Sequence, residues 1–433
     1  MIKEIENKLT ERLLNGSETK LISLAGDAAV RKNALEHFRR MGVPSKRHED
    51  YKYINPEGLF RIGEFMANAK PVRPVTSHDV EELTIAPGAA KVVIVNGVFI
   101  PELSKLDRLP AGVTVKSISD AIVSDTVARN YYSTLANASA DAFIAWNTAL
   151  NEGGVFIHIA KSASCDIPVH VVHIASNEAA STFHPRNLIV AENNSSLNVI
   201  ESFDSIGPVK TLTNAVTEVM VHEGAKLNHY RIQTEGETAH QMNTTCAVAE
   251  SGSNYCTYTF SLGGGWVRNN LNISFTQEHT EAHLYGLYVT NGNRVLDNHT
   301  IVDHAVPNCM SNELYKGVVD GKSTAVFNGK IFVRRDAQKT NAYQTNRNIL
   351  MSDDASVNTK PQLEIYADDV KCSHGTSTGR LDEDALFYLR ARGVGAESAR
   401  KMLVRAFADE VVNNVPDEAI VAFLDNRLNH LMS

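Results

Sequence analysis

The sequence predicts a mainly β protein built around a β-helix, a solenoid of short strands, with α-helical domains at its two ends. Three observations carry this. From Gly153 to about Tyr366 the apolar pattern has period two, in short runs separated by Gly, Asn and Asp, as strands with alternate buried side chains require. Turn residues recur at an even interval, Gly224, Gly252 and Thr280 standing 28 residues apart, which is expected when coil stacks on coil. Finally, this run is long for one sandwich or barrel, whereas a solenoid grows by adding coils that bury a shared interior.

Residues 1–70 read as an N-terminal helical domain. Ile2, Ile5, Leu9 and Leu13 fall at helical spacing, and a second helix runs from an Asp27 cap through Val30, Leu35 and Phe38 to Gly42. Residues 71–152 form a mixed α/β linking region, entered through the proline-punctuated Lys70-Pro71-Val72-Arg73-Pro74. Asn96-Gly97 between apolar runs at 91–95 and 98–100 predicts a hairpin, and helical patterning returns over 118–150. The β-helix core spans 153–378, with strands expected at 155–159, 169–174, 187–191, 227–233, 255–262, 271–276, 282–289 and 325–333. The even interval breaks after Thr280, since Gly321 follows 41 residues later.

Residues 379–433 form a C-terminal helical domain. Asp382 caps a helix over 383–392 closed by Gly393. A second helix puts Ala399, Met402, Leu403, Ala406, Phe407 and Val411 on one stripe, and a third does so with Ile420, Phe423, Leu424, Leu428 and Leu431. A solenoid end exposes unpaired strand edges, so flanking helical domains serve as caps, and one of them can also receive a partner.

Composition excludes several function classes. With 42 Lys+Arg against 50 Asp+Glu the net charge is −8, which removes nucleic acid as the default partner. No apolar run approaches the roughly 20 residues that span a bilayer, so no membrane association is expected. The N-terminus carries acidic residues and lacks a secretory pattern. Cys165, Cys246, Cys256, Cys309 and Cys372 are odd in number, scattered and without a C-x-x-C, which fits reduced thiols in a cytoplasm.

Several constellations invite chemistry and fail. Gly317 to Thr324 imitates a phosphate loop, but three residues separate its glycines instead of four and a strand follows instead of a helix. Gly393-Val-Gly395 joins two helices and lacks the third glycine of a dinucleotide site. His279, Glu281 and His283 alternate and would share a strand face, best explained as a solvated outer face. His299, Asp303 and His304 offer acid/base groups without a nucleophile. Paired carboxylates on a β-helix would suit an enzyme acting on polysaccharide, although no specific pair is marked and no secretory signal supports it. A self-assembling structural solenoid is a third reading. The most distinctive run is Asp368-Asp-Val-Lys-Cys-Ser-His-Gly375, where the β pattern gives way to the last helices. Cys372 and His374 lie two apart and share a face in extended backbone, a thiol and an imidazole of the type iron accepts. Two ligands make half a site at best, and a small buried Cys beside a hydrogen-bonded His is the alternative.

The runs Asn298–His304, Ser311-Asn-Glu-Leu-Tyr-Lys-Gly317, Phe327–Val333, Asp336–Thr340, Gln344-Thr-Asn-Arg-Asn348, Lys360 through Gly375 and Leu386-Phe-Tyr-Leu-Arg390 strongly resemble the SufB/SufD family of FeS cluster assembly proteins, on its SufD side. Gly42 to Lys52 and Trp146-Asn-Thr-Ala149 resemble the family more loosely. The resemblance implies a right-handed parallel β-helix with helical N- and C-terminal domains. It further implies a non-catalytic scaffold subunit that pairs with SufB through the β-helices, docks the SufC ATPase on its C-terminal helices and passes clusters to downstream apoproteins; a homodimer is a candidate state of the isolated chain, which the sequence does not decide. ATP would bind SufC, in keeping with the failed phosphate loop. His374 carries over to the SufB interface as a site for nascent cluster, and Cys372 to the same interface. On the SufC side the resemblance points to Asp382, Phe387, Tyr388, Leu389, Arg390, Met402 and Phe407. No tightly bound cofactor is expected; a transient iron or FeS cluster at the SufB interface and a flavin on the complex are the candidates.

Overall fold

The computed structural model describes residues 9–14, 28–61, 72–177 and 179–431; Ile2, Ile5, the Asp27 cap, Lys70 and Pro71 lie outside them. Helix α1 (Ala28–Met41) buries Ala34, Leu35 and Phe38, while Val30 is exposed and stands off the buried stripe. It ends at Gly42, whose φ of 67° suits a residue without Cβ and whose N–H donates to the Phe38 carbonyl. Helices α2 (Ser77–Glu82), α3 (Ile118–Ser124), α4 (Thr126–Tyr131) and α5 (Ala142–Leu150) follow. In α5, which is buried throughout, Trp146 stacks on Phe38 at 5.6 Å, so the N-terminal helices close over one flank of the β structure.

The strands are β1 (Ala90–Val95), β2 (Val98–Phe99), β3 (Val113–Ser117), β4 (Val155–Ile159), β5 (Val169–Ala175), β6 (Ser181–Phe183), β7 (Arg186–Ala191), β8 (Ser196–Ser205), β9 (Thr211–Val221), β10 (Lys226–Gln233), β11 (Ala239–Ala249), β12 (Asn254–Ser261), β13 (Trp266–Phe275), β14 (Glu281–Thr290), β15 (Val295–His304), β16 (Met310–Val319), β17 (Thr324–Val333), β18 (Asn341–Leu350), β19 (Ser356–Ile365) and β20 (Lys371–Gly379). Successive strands alternate between two sheets. Even-numbered β8 to β20 stack in one and odd-numbered β7 to β19 in the other, each parallel to its neighbours, so every coil contributes one strand to each sheet. The predicted hairpin is β1–β2, turning at Asn96 and Gly97 with φ of 50° and 85°. Its first strand continues the solenoid by pairing in parallel with β5, and β3 adds antiparallel to β4, so strands from the linking region start both sheets.

The coil repeat continues after Thr280, with a length that varies by a few residues. Registers advance from Asn254 to Glu281, Met310, Asn341 and Lys371, steps of 27, 29, 31 and 30 residues. Gly321 belongs to the other corner of the coil, where it lies over Gly292 and the next N–H, of Lys322, donates to the Gly292 carbonyl at 2.7 Å. The interrupted interval compared two different corners.

The solenoid interior has an apolar part and a polar part. Leu197, Leu227, Tyr255 and Ala282 face Val219, Ala247, Ile273 and Val302 in the first. In the second, Glu201 accepts hydrogen bonds from Asn187 (2.5 Å), Thr217 (3.0 Å) and Arg231 (3.0 Å) and lies 3.2 Å from His229. Further along, Asn243, Asn269 and Asn298 form an amide ladder with 2.9 Å spacings. Because these buried positions carry polar residues, strands such as β9, β11, β16 and β18 escape a reading based on apolar alternation.

Helices α6 (Glu383–Ala391), α7 (Ala396–Val412) and α8 (Glu418–Leu431) complete the chain. Val404, Ala408, Val411, Ile420, Leu424 and Leu428 pack on Tyr230, Tyr258, Phe260, Leu287 and Val318 of the even-numbered sheet. The buried stripe of α7 is therefore Ala399, Val404, Ala408, Val411 and Val412, which keeps Ala399 and Val411 of the expected one; Met402 and Ala406 are exposed and Leu403 and Phe407 lie at its border. The stripe of α8 agrees with expectation, with Ile420, Leu424 and Leu428 buried. Among the described residues no helix is long and apolar enough to cross a membrane.

Candidate functional site

Among the described residues no further coil is stacked on the last one. Strand β19 is partly exposed along most of its length, and β20 is exposed except at Cys372, leaving an open end to the solenoid. Cys372 and His374 stand there on the same face of β20, paired in register with Ala342 and Gln344 of the strand beneath. That face continues the interior, since Ala342 and Gln344 are buried. Cys372 packs against the small cluster of Ile331, Val333, Ala337, Ala342 and Ala367, and its burial pushes the thiol above its ordinary value, so it is protonated at neutral pH in this chain by itself. His374 is exposed. Directly beneath, the Gln344 side-chain Nε2 donates to Glu313 Oε2 at 2.8 Å. Burial pushes Glu313 up to about 7, against the lowering effect of the hydrogen bond from Gln344. Among the described residues no group of three or more His, Cys, Asp and Glu is arranged to hold a metal ion, so Cys372 and His374 remain two donors at an edge.

The other constellations disperse. His279 sits in a turn with φ of 62° ahead of β14, so it does not share a strand face with Glu281 and His283. Asp303 and His304 point to opposite sides: Asp303 pairs with Arg334 outside at 2.8 Å, while His304 is buried edge-on against Phe275, 2.9 Å from Ser311 Oγ, and burial lowers it to about 4. His299 lies on the outer face of the same strand as Asp303, 2.9 Å from Asp297 and beside Arg268. Among the described residues the interior carboxylates Glu201, Glu235 and Glu313 each accept from an internal amide. Gly317 lies within β16, Gly321 makes a turn with φ of 64°, and the ammonium of the solvated Lys322 is 4.0 Å from Asp354, so the phosphate-loop imitation is a turn between strands.

On the C-terminal helices, Asp382 caps α6, its carboxylate accepting from the N–H groups of Asp384 (2.9 Å) and Ala385 (3.1 Å). Phe387 and Tyr388 are 74% and 57% exposed and Met402 of α7 is 52% exposed; Arg390 is exposed and Leu389 half-buried. Phe407 is instead engaged within the chain, its ring 4.1 Å from the Lys316 ammonium and its carbonyl accepting from the same group at 2.8 Å. The candidates divide into a capping residue, an internal contact and an exposed set around Phe387, Tyr388 and Met402.

Comparison with known proteins decides which family this architecture serves. The family model described as SUF system FeS cluster assembly, SufBD core domain, matches residues 173–407, and the SufBD protein N-terminal region matches residues 18–171. The chain belongs to the SufBD family. It is 30% identical to a SufBD family protein of Synechocystis over 100% of this chain and 95% of that protein. It is 31% identical to the iron-sulfur cluster assembly protein SufD of Escherichia coli over 89% of this chain and 88% of that one. A third relative, protein ABCI7 of Arabidopsis thaliana chloroplasts, is 36% identical over 57% of this chain and 52% of its own length. The SufBD core match takes in the open end with Cys372 and His374 and the exposed residues of α6 and α7. Gln344 and Glu313, which sequence reasoning did not single out, lie within SufBD motifs quoted above, and a register step of about one coil was the signal that would have joined them to His374.

Proposed function

We propose that this SufBD family chain is a non-catalytic scaffold subunit of a SufB–SufC–SufD type complex, in which a second β-helix docks on the open end and an ATPase docks on α6 and α7. The observation that carries this reading is the coincidence of unpaired strands with two potential iron ligands, His374 and Cys372, at one end of the solenoid. Unpaired backbone groups of β20 are suited to add a partner strand, and an imidazole at that seam supplies one ligand while the partner supplies others. A nascent cluster is then cargo held between two chains and passed on to apoproteins. The decisive experiment is His374→Ala in the purified complex, with FeS assembly followed by absorption and iron content. The expected result is an intact complex with assembly reduced at least ten-fold; wild-type assembly by the variant would overturn the site role of His374.

A further inference from the structure

A column of side chains runs through the solenoid interior to His374. Leu284, Glu313, Gln344 and His374 are paired in register on four successive strands. Neighbouring strands of a sheet are about 4.8 Å apart, so same-face residues in such a column are adjacent. Glu313 and Gln344 are each 2% exposed. The donor side of the Gln344 amide is used by Glu313, whose Oε2 accepts at 2.8 Å. The acceptor side, Oε1, is buried and has no hydrogen-bond partner among the described residues. Space for this amide is reserved from the opposite sheet by Gly329, where a Cβ would stand 2.2 Å from Gln344 Nε2. A buried carbonyl oxygen without a donor is costly, and the next side chain in its column is an imidazole.

We propose that Gln344, held by Glu313, is a positioning residue for His374: its Oε1 accepts one ring N–H and fixes a single neutral tautomer, leaving the other ring nitrogen with its lone pair for a metal at the open end. The inference deepens the scaffold reading and rests on it for its purpose, though the orientation of the ring stands by itself. An imidazole that ligates through one nitrogen commonly donates from the other, which sets both tautomer and angle. A neutral amide suits this task better than a carboxylate in direct contact, which would favour the imidazolium and remove the lone pair. Glu313 acts one step further back, fixing which end of the amide faces His374.

The test uses the full-length chain with ¹⁵N-labelled histidine at pH 8, reading the His374 ring by two-bond proton–nitrogen correlation and assigning it by its disappearance in His374→Gln. One neutral tautomer is expected to exceed 90% in the wild type. Gln344→Leu is expected to produce a mixture, as is Gly329→Ala, which displaces the amide while retaining it. A tautomer mixture in the wild type, or an unchanged single tautomer in a folded Gln344→Leu chain, would overturn the assignment. If the tautomer responds as expected while His374→Ala assembles clusters normally, the site role of His374 fails and the positioning contact stands.

Discussion

Some buried charges of the solenoid are answered by several partners at once, and this determines what their removal costs. Glu218, on β9, is completely buried with Arg186, whose Nε donates to it at 2.9 Å, and it also accepts from the backbone N–H groups of Ser133, Leu135 and Ala136, each at 2.9 Å. It ties the loop after α4 to the sheet. Glu218→Ala should cost about 3–5 kcal/mol by stranding the guanidinium and three N–H groups, measured as a loss of unfolding free energy in urea. Glu235 gives a pH dependence. Burial pushes it up to about 8, partly opposed by hydrogen bonds from Gln233 and Gln241, against an ordinary value of 4.5. Between those limits the unfolded chain has lost this proton and the folded chain retains it, so stability is full below about pH 4.5 and declines as pH rises through 8. Replacing it with Gln should flatten the decline, making the variant's loss from pH 5 to pH 8 smaller than the wild type's by on the order of 2–4 kcal/mol. Parallel urea titrations at the two pH values check this, and equal losses would contradict it.

Elements differ in how much of their role their own residues disclose. Helix α6 is bounded by Asp382 and by Gly393, whose φ is 89°, and both ends were legible because caps are local chemistry. The buried stripe of α7 was not, because several apolar residues surround the helix and the sheet it meets selects Val404, Ala408 and Val411 over Met402 and Ala406. What remains exposed is Phe387, Tyr388 and Met402. Removing the chain from Leu381 onward would uncover Tyr230, Tyr258, Phe260 and Leu287, so a binding loss in that truncation would not locate a docking surface. Paired changes Phe387→Glu and Tyr388→Glu are better aimed. They should weaken co-purification of the ATPase partner at least ten-fold and alter unfolding free energy by less than about 0.5 kcal/mol, as surface substitutions do.

At the scale of the whole molecule, the solenoid is closed at one end and open at the other. Strand β1 and its hairpin cover the first coil of one sheet, whereas β19 and β20 end the stack. Since the N–H of Lys371 donates inward to Thr340, the alternate N–H groups of Cys372, His374, Thr376 and Thr378 point outward from the edge. Thr376→Pro therefore removes an outward donor at a position where an edge strand tolerates proline, and β19 already carries Pro361. The variant should lose association with the β-helix partner at least ten-fold, while its melting temperature stays within about 1 °C of wild type, which for a chain of this length corresponds to about 1 kcal/mol. Calorimetry of the isolated chain beside a pull-down of the pair separates the two effects; undiminished association would exclude strand addition at this edge.

By itself the sequence determined what local and repetitive chemistry can determine. Period-two runs and corner residues specified a solenoid, Asn96-Gly97 a hairpin and Asp382 a cap, and the wording around Lys371-Cys-Ser-His-Gly375 pointed to the family. Tertiary structure alone decided which neighbours come from adjacent coils. Coil length varies, with the steps from Asn254 to Lys371 running from 27 to 31 residues, so adding a fixed interval does not find the partner of a given side chain. It also decided which polar residues lie inside. Glu201, Asn269, Glu313 and Gln344 are buried because stacked coils offer each of them partners from strands above, below and opposite, and a pattern that separates apolar from polar assigns such residues to solvent. The relation of His374 to Gln344 and Glu313 exists for the same reason: it is a product of register, and register is settled only when the coils have closed on one another.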